Sequence, residues 1–226
     1  MTEIKICGIT DREDALFAAA CGVEALGFIF YAPSPRYITP ERAREIIAAL
    51  PNEVIKVGVF VNQEAATVQQ IFTFCGLDLI QLHGDETPEY CDKFLSSRLI
   101  KAVVLQTEND LPALKRYHPH AILIDSRTPR KYGGTGQCAN WDLAAKARNG
   151  YPLILSGGLK EENIAMAMSI VLPPAVDINS GVESVPGRKN RDKVRRIVKL
   201  IREIENKVRD KTIFTNTSKK RIENEQ

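Results

Sequence analysis

Histidine is scarce in this chain, three residues in 226, and no HExxH run or other closely spaced ligand set accompanies them. A transition-metal site needs several such ligands at short, regular spacing, so the sequence implies no metal. The five cysteines, Cys7, Cys21, Cys75, Cys91 and Cys138, are odd in number and form no CxxC pair. That excludes a disulfide framework and leaves reduced thiols serving mostly as buried filler. A Walker loop is absent, and the one match to a dinucleotide fingerprint, Gly134-Thr135-Gly136-Gln137-Cys138-Ala139, begins nine positions past Asp125 instead of directly after a strand. No cofactor is implied.

Long apolar runs are missing too, because the stretch around Ala18 to Ala32 is broken by Glu24. The opening MTEIKICGIT carries no basic leader or apolar core, so the expected location is cytoplasmic, with no membrane partner. Asn216-Thr217-Ser218 matches a glycosylation acceptor, which a cytosolic chain has no occasion to use. Charge of one sign is lacking except at the end. Residues 207 to 226 hold six Lys/Arg against three Asp/Glu, leaving 25 of each sign elsewhere. The final TNTSKKRIENEQ has one apolar residue and no period, so 206–226 reads as a polar, basic, disordered tail. Its short basic cluster lacks interleaved aromatics and reads as solvated, with no nucleic-acid partner.

What is present is 44% apolar and 26% charged side chains on a chain long enough for one large core. Short β-rich runs alternate with helix-like runs throughout. The strands fall at 4–8, 25–30, 55–61, 77–83, 99–105, 121–125, 153–156 and 175–179. Between them, Thr10 with Glu13 reads as a capping box, and Thr39-Pro40-Glu41 and Thr87-Pro88-Glu89 each set a cap before a helix-starting proline. Asp192 to Val208 has one apolar stripe of Val194, Ile197, Val198, Ile201, Ile204 and Val208. Eight strands with helical crossovers give an α/β fold, a single parallel (β/α)8 TIM barrel over 1–205, with an open doubly wound sheet as the alternative.

Strand residues two apart share a face, which sets Ile4 and Ile6 against Lys5 and Cys7, Ile80 and Leu82 against Gln81 and His83, and Ile122 and Ile124 against Leu123 and Asp125. Leu153 and Leu155 likewise oppose Ser156, and Val176 and Ile178 oppose Asp177 and Asn179. The apolar pairs should face the helices, so several strands turn polar on the inward face near their carboxyl ends, where barrel enzymes build their sites. Lys5 also reads as a core charge paired with a carboxylate, and His83 as a hydrogen-bonded wall residue.

Ser156-Gly157-Gly158-Leu159 follows the seventh strand and Ser180-Gly181-Val182-Glu183 the eighth, two turns able to offer backbone N–H groups to an anion. In a β/α barrel those two loops are the usual phosphate site, although glycines also serve plain tight turns. The segment Ser126 to Gln137, with Arg127, Arg130, Lys131 and three glycines, reads as a basic flap over an anionic substrate. Phosphate without a nucleotide or metal motif points to a phosphorylated sugar.

The motifs KICGIT (5–10), SPRYI (34–38), GVFVN (58–62), QLHGDE (81–86), LID followed by GGTG, LSGGL (155–159) and DINSGVE ahead of PGRK together resemble the phosphoribosylanthranilate isomerase family. The resemblance runs in the family's order to about residue 205. It implies the Amadori rearrangement of N-(5-phosphoribosyl)anthranilate to 1-(2-carboxyphenylamino)-1-deoxyribulose 5-phosphate in tryptophan biosynthesis, by a monomer or homodimer. It also implies Cys7 as general base, Asp125 as general acid, Arg36 beside the anthranilate carboxylate, and Gly157, Gly158, Ser180 and Gly181 around the phosphate. Lys5, Gln81, His83 and Asp177 are further candidates for substrate contact. Lys5, two residues from Cys7, is expected to favour the thiolate, and burial or Asp177 to bias Asp125 towards its protonated form. Asn190, where an aspartate is usual, and CANW before Trp141 depart from the pattern and bear on capping and on the flap.

Competing readings are a pentulose-phosphate epimerase, an indole-forming synthase and a non-catalytic phosphometabolite sensor. The epimerase wants metal-binding histidines at strand ends, but two of the three, His118 and His120, lie on a connection. The synthase wants an inward lysine, for which Lys5, Lys56 and Lys101 are available. The sensor has no need of both Cys7 and Asp125.

Overall fold

A computed structural model describes residues 1–126 and 140–204. The segment carrying Arg127, Arg130, Lys131 and Cys138, and the tail with Val208, lie outside the described residues. Eight strands, β1 (Glu3–Ile6), β2 (Ala25–Ile29), β3 (Ile55–Phe60), β4 (Leu79–Leu82), β5 (Leu99–Val104), β6 (Ala121–Asp125), β7 (Leu153–Leu155) and β8 (Ala175–Ile178), pair in parallel in chain order. Strand β8 returns to β1 with Lys5 opposite Asp177, closing the barrel. The open-sheet alternative is thereby excluded.

Among the described residues seven α-helices accompany the strands: α1 (Arg12–Ala20), α2 (Pro40–Ile47), α3 (Ala65–Cys75), α4 (Pro88–Cys91), α5 (Trp141–Arg148), α6 (Ile164–Val171) and α7 (Arg191–Glu203). Thr39 and Thr87 cap α2 and α4 as their Thr-Pro-Glu runs predict, accepting from Arg42 N–H and Tyr90 N–H. The capping box at Thr10 does not form. Asp11 caps α1 instead, accepting from Glu13 and Asp14 N–H, because an ionised carboxylate one residue closer is the stronger acceptor for these donors. The Thr10 hydroxyl donates to Gly187 O across the barrel top. Asn190 caps α7, accepting from Lys193 N–H, so the missing aspartate costs this helix no cap.

Two apolar clusters result from the period-two alternation. Ile4, Ile6, Ile80, Leu82, Ile122, Ile124, Leu153, Leu155, Val176 and Ile178 all pack outwards against the helices. The barrel interior is a separate plug that includes Ala25, Ile55, Val57, Leu79, Ile100, Leu123 and Ile154. A further hairpin, β9 (Glu183–Val185) and β10 (Arg188–Lys189), follows β8 and leads into α7. Strands of three and two residues leave no periodic signal, and only the Pro186-Gly187 turn marks them in the sequence.

Outside the barrel wall, Lys101 of β5 sends its ammonium to Gly84 O (2.9 Å) and Glu86 Oε2 (2.8 Å), and Glu86 also accepts from Asn62 and Gly84 N–H. This buried pair fixes the loop that follows β4. Replacing Lys101 by Met should strand the buried Glu86 carboxylate and lower stability by ~3 kcal/mol, measured as a loss of urea midpoint at unchanged slope.

Candidate active site

Above the apolar plug the inward positions turn polar. Lys5 of β1 is fully buried and its ammonium lies 2.9 Å from Asp177 Oδ1 on β8. Burial opposes the charge on Lys5, but Asp177 and the neighbouring Cys7 thiol outweigh it and hold its pKa above the ordinary lysine value. One inward step higher sits Cys7. Opposite it on β2 a Cβ on Gly27 would come within 2.7 Å of the Cys7 sulfur, so the thiol occupies space that only glycine leaves free. Burial pushes the Cys7 thiol up, with Asp177 adding to the rise and Lys5 and Lys189 pulling against it. The expected help from Lys5 is therefore real in direction and insufficient in size: its charge is shared with Asp177, and the loss of solvent around a thiolate wins.

Across the mouth, Asp125 ends β6. Its Oδ2 lies 2.9 Å from His83 Nε2 and its Oδ1 accepts from Ser126 N–H at 2.8 Å. His83 Nδ1 in turn lies 2.8 Å from the amide nitrogen of Gln81. Asp177, engaged by Lys5, is not free to act as the unpaired like charge expected to bias Asp125 towards its acid form.

Arg36, from the segment after β2, clamps Glu183 of β9 through Nε at 2.9 Å and Nη2 at 2.7 Å. Lys189 of β10 reaches the same carboxylate at 2.9 Å, and Gly187 N–H adds a further donor. Burial alone would raise Glu183, yet Arg36 and Lys189 hold it below the usual carboxylate range. Burial also depresses Lys189, only partly offset by Glu183. The loops after β7 and β8 meet edge to edge. A Cβ on Gly181 would stand 2.0 Å from Leu159 O, an impossible contact, so glycine is required for the two turns to pack. Gly157, which unlike Gly181 stands at positive φ (+84°), is pressed against Ser126 in the same way.

A cleft at the carboxyl ends of the strands is walled by Cys7, Arg36, His83, Asp125, Asp177, Ser180 and the Ser156–Leu159 turn, among others. The model of the N-(5'-phosphoribosyl)anthranilate (PRA) isomerase family matches residues 4–200 of this chain. The chain belongs to the PRA isomerase family. Its relatives include the N-(5'-phosphoribosyl)anthranilate isomerases of Syntrophus aciditrophicus, 54% identical over 89% of this chain and 88% of that protein, and of Geobacter sulfurreducens, 49% identical over 88% and 98%. Among solved structures, the phosphoribosylanthranilate isomerase of Thermotoga maritima superposes with a TM-score of 0.82 at 42% identity, covering 90% of this chain and all of that one. Another PRA isomerase, in complex with reduced 1-(o-carboxyphenylamino)-1-deoxyribulose 5-phosphate, gives 0.80 at 40% identity over the same shares. The family resemblance of the sequence motifs, and with it an isomerase of tryptophan biosynthesis on a parallel barrel, is borne out.

Of the residues singled out in the sequence of this PRA isomerase family member, Cys7, Arg36, His83, Asp125, Asp177, Gly157, Gly158 and Ser180 share one cleft. Lys5 and Gln81 are completely buried beneath it and do not line it, because they stand one inward position below Cys7 and His83. Gly181 is spent on packing against Leu159 and is likewise not a wall residue. Lys56 and Lys101 point outward, Lys56 to Pro51 O and Asn52 O and Lys101 to Glu86, so neither supplies the inward lysine of a synthase. Glu183 and Lys189 were missed, although both lie inside quoted motifs, since nothing local reveals that a short hairpin folds them onto Arg36. Among the described residues no His, Cys, Asp and Glu cluster could hold a metal ion, and no helix is long and apolar enough to cross a membrane.

Lys5→Met should raise the Cys7 thiol pKa further while stranding buried Asp177, which costs ~3 kcal/mol. The check is the pH course of thiolate absorbance against a Cys7→Ser blank. An unchanged Cys7 titration would remove Lys5 from any part in tuning the thiol.

Proposed function

We propose that this barrel carries out the Amadori rearrangement of N-(5-phosphoribosyl)anthranilate with Asp125 as general acid and Cys7 as general base. The observation that carries this reading is the placement of a carboxyl and a thiol on opposite walls of one cleft, which also holds a guanidinium and a glycine turn. The substrate has two anionic ends. Its phosphate suits the Gly157-Gly158 turn and Ser180, and its anthranilate carboxylate suits Arg36, whose planar fork Glu183 holds in place. The two anchors are separated around the barrel and leave the ribose between Cys7 and Asp125.

Asp125 gives its proton to the ribose ring oxygen as the C1–O bond breaks, leaving a Schiff base between C1 and the anthranilate nitrogen. The charge that develops on Asp125 is met by the Ser126 N–H already aimed at it, and by His83 when its Nε2 carries the ring proton. Cys7, as thiolate, removes the C2 proton, and the electron pair moves into an enolamine. Proton transfer from the C2 hydroxyl and to C1 completes the ketone. The cycle leaves one proton more on the thiol and one fewer on the carboxyl, and exchange with solvent resets the pair. A location in the cytoplasm suits this metabolic role.

Cys7→Ala and Asp125→Asn should each lower kcat at least ~10²-fold on freshly made substrate, followed by loss of its fluorescence without added metal. No turnover by folded wild-type protein would instead favour the sensor reading. Because burial raises the Cys7 thiol, the fraction of active thiolate grows with pH, and kcat/KM should climb from neutral towards alkaline pH. A profile flat across that range would remove Cys7 as the base.

A further inference from the structure

Gln81 is fully buried, one inward position below His83 on β4 and away from the cleft wall. Among the described residues its Oε1 has no hydrogen-bond partner, an unusual cost at the centre of a barrel whose neighbouring inward positions are filled by apolar side chains. What the amide does make is one contact, 2.8 Å from its nitrogen to His83 Nδ1. An amide nitrogen can only donate. Facing it, a neutral imidazole would turn its Nδ1 lone pair to the amide, carry its proton on Nε2 and donate from there to Asp125 Oδ2, 2.9 Å away. A second proton on the ring would set two N–H groups head to head at Gln81.

We propose that Gln81 is a positioning residue that holds His83 as the neutral Nε2–H form, so that the imidazole donates to Asp125 and cannot take the carboxyl proton used in ring opening. This rests on the acid role given to Asp125 above. A neutral imidazole with a free lone pair facing the carboxyl would draw that proton away from the substrate. With Nδ1 covered, the proton stays with the carboxyl until the ring oxygen receives it, and the carboxylate left behind keeps its donor. Among the described residues, the other charged or titratable groups sharing the mouth are Cys7 at the end of β1, Tyr31 and Arg36 from the segment after β2, and Asp177 from β8. Lys101 and Glu86 lie on the far side of the wall.

The arrangement is read directly by nitrogen NMR of protein labelled with 15N in its three histidines, with His118→Gln and His120→Gln removing the two signals from outside the cleft. At neutral pH, His83 should show an unprotonated Nδ1 and a protonated Nε2. In Gln81→Glu, whose carboxylate only accepts, the proton should move onto Nδ1, kcat should fall at least ~10-fold with KM little changed, and the pH profile of kcat should shift. The wild-type tautomer is the readout that a merely structural glutamine would not fix. A wild-type spectrum with Nδ1 protonated overturns the proposal even if Gln81→Glu fails to fold, and so does a folded Gln81→Glu with wild-type kcat and pH profile. Full turnover by Asp125→Asn has a separate meaning: it would sink the acid role, and the purpose of the tautomer with it, while leaving the tautomer itself intact.

Discussion

Between the apolar plug of the barrel and its open mouth, Lys5 and Asp177 face each other at 2.9 Å across the seam where β8 meets β1. Neither charge is tolerable alone at that depth, where the loss of hydration costs several kcal/mol per ion. Together they let the inward face change from hydrocarbon to polar chemistry within one residue step on each strand. Cys7 and Asn179 are placed by that change. They stand two residues further along the same two strands, and their height in the mouth is set by the register that the ion pair spans. The thiol environment follows as well, because the cation beneath it is already committed to a carboxylate.

A second buried cluster does comparable work at the rim. Glu183 gathers Arg36, Lys189 and Gly187 N–H, so a guanidinium that would otherwise sample many rotamers is presented in one orientation. The arrangement reverses the usual expectation for an arginine in a Ser-Pro-Arg loop, which would be a surface ion pair of small value. Here the partner comes from a hairpin near the end of the chain, and both groups are largely out of water.

Much of this was legible in the sequence because its logic is local. The strand positions and their in-and-out alternation follow from period two, and every apolar pair read as outward does pack against the helices. Cys7, His83 and Asp125 were found because a polar side chain at the end of an otherwise apolar strand conflicts with burial unless it faces a cleft. What was not legible depended on contacts far apart in the chain. The depth of Lys5 and Gln81 below the mouth requires the barrel to be closed, and the role of Glu183 requires a seven-residue hairpin, Glu183 to Lys189, with no periodic signature. Gly181 reads in sequence as an anion-binding turn, yet it is held by the approach of Leu159 O, a contact that no local pattern encodes. Asp11 displaced Thr10 as the cap of α1 for a simpler reason: two adjacent residues compete for the same N–H groups, and pattern alone does not rank them.

The seam that Lys5 and Asp177 span also bears on how such a molecule avoids sticking to its neighbours while it folds. The two residues are 172 positions apart, so β1 waits with an open edge until nearly the whole chain has been made. A bare parallel edge invites pairing with any other strand. On these two strands the edge carries a charge on what will become the inner face, and a foreign apolar strand laid against either would have to bury that charge without a partner. Only the strand bearing the opposite charge in the right register relieves it. The same pair that organises the finished mouth therefore acts earlier as a lock with one key, discouraging aggregation of the unclosed sheet and selecting the single closure that yields eight strands in register.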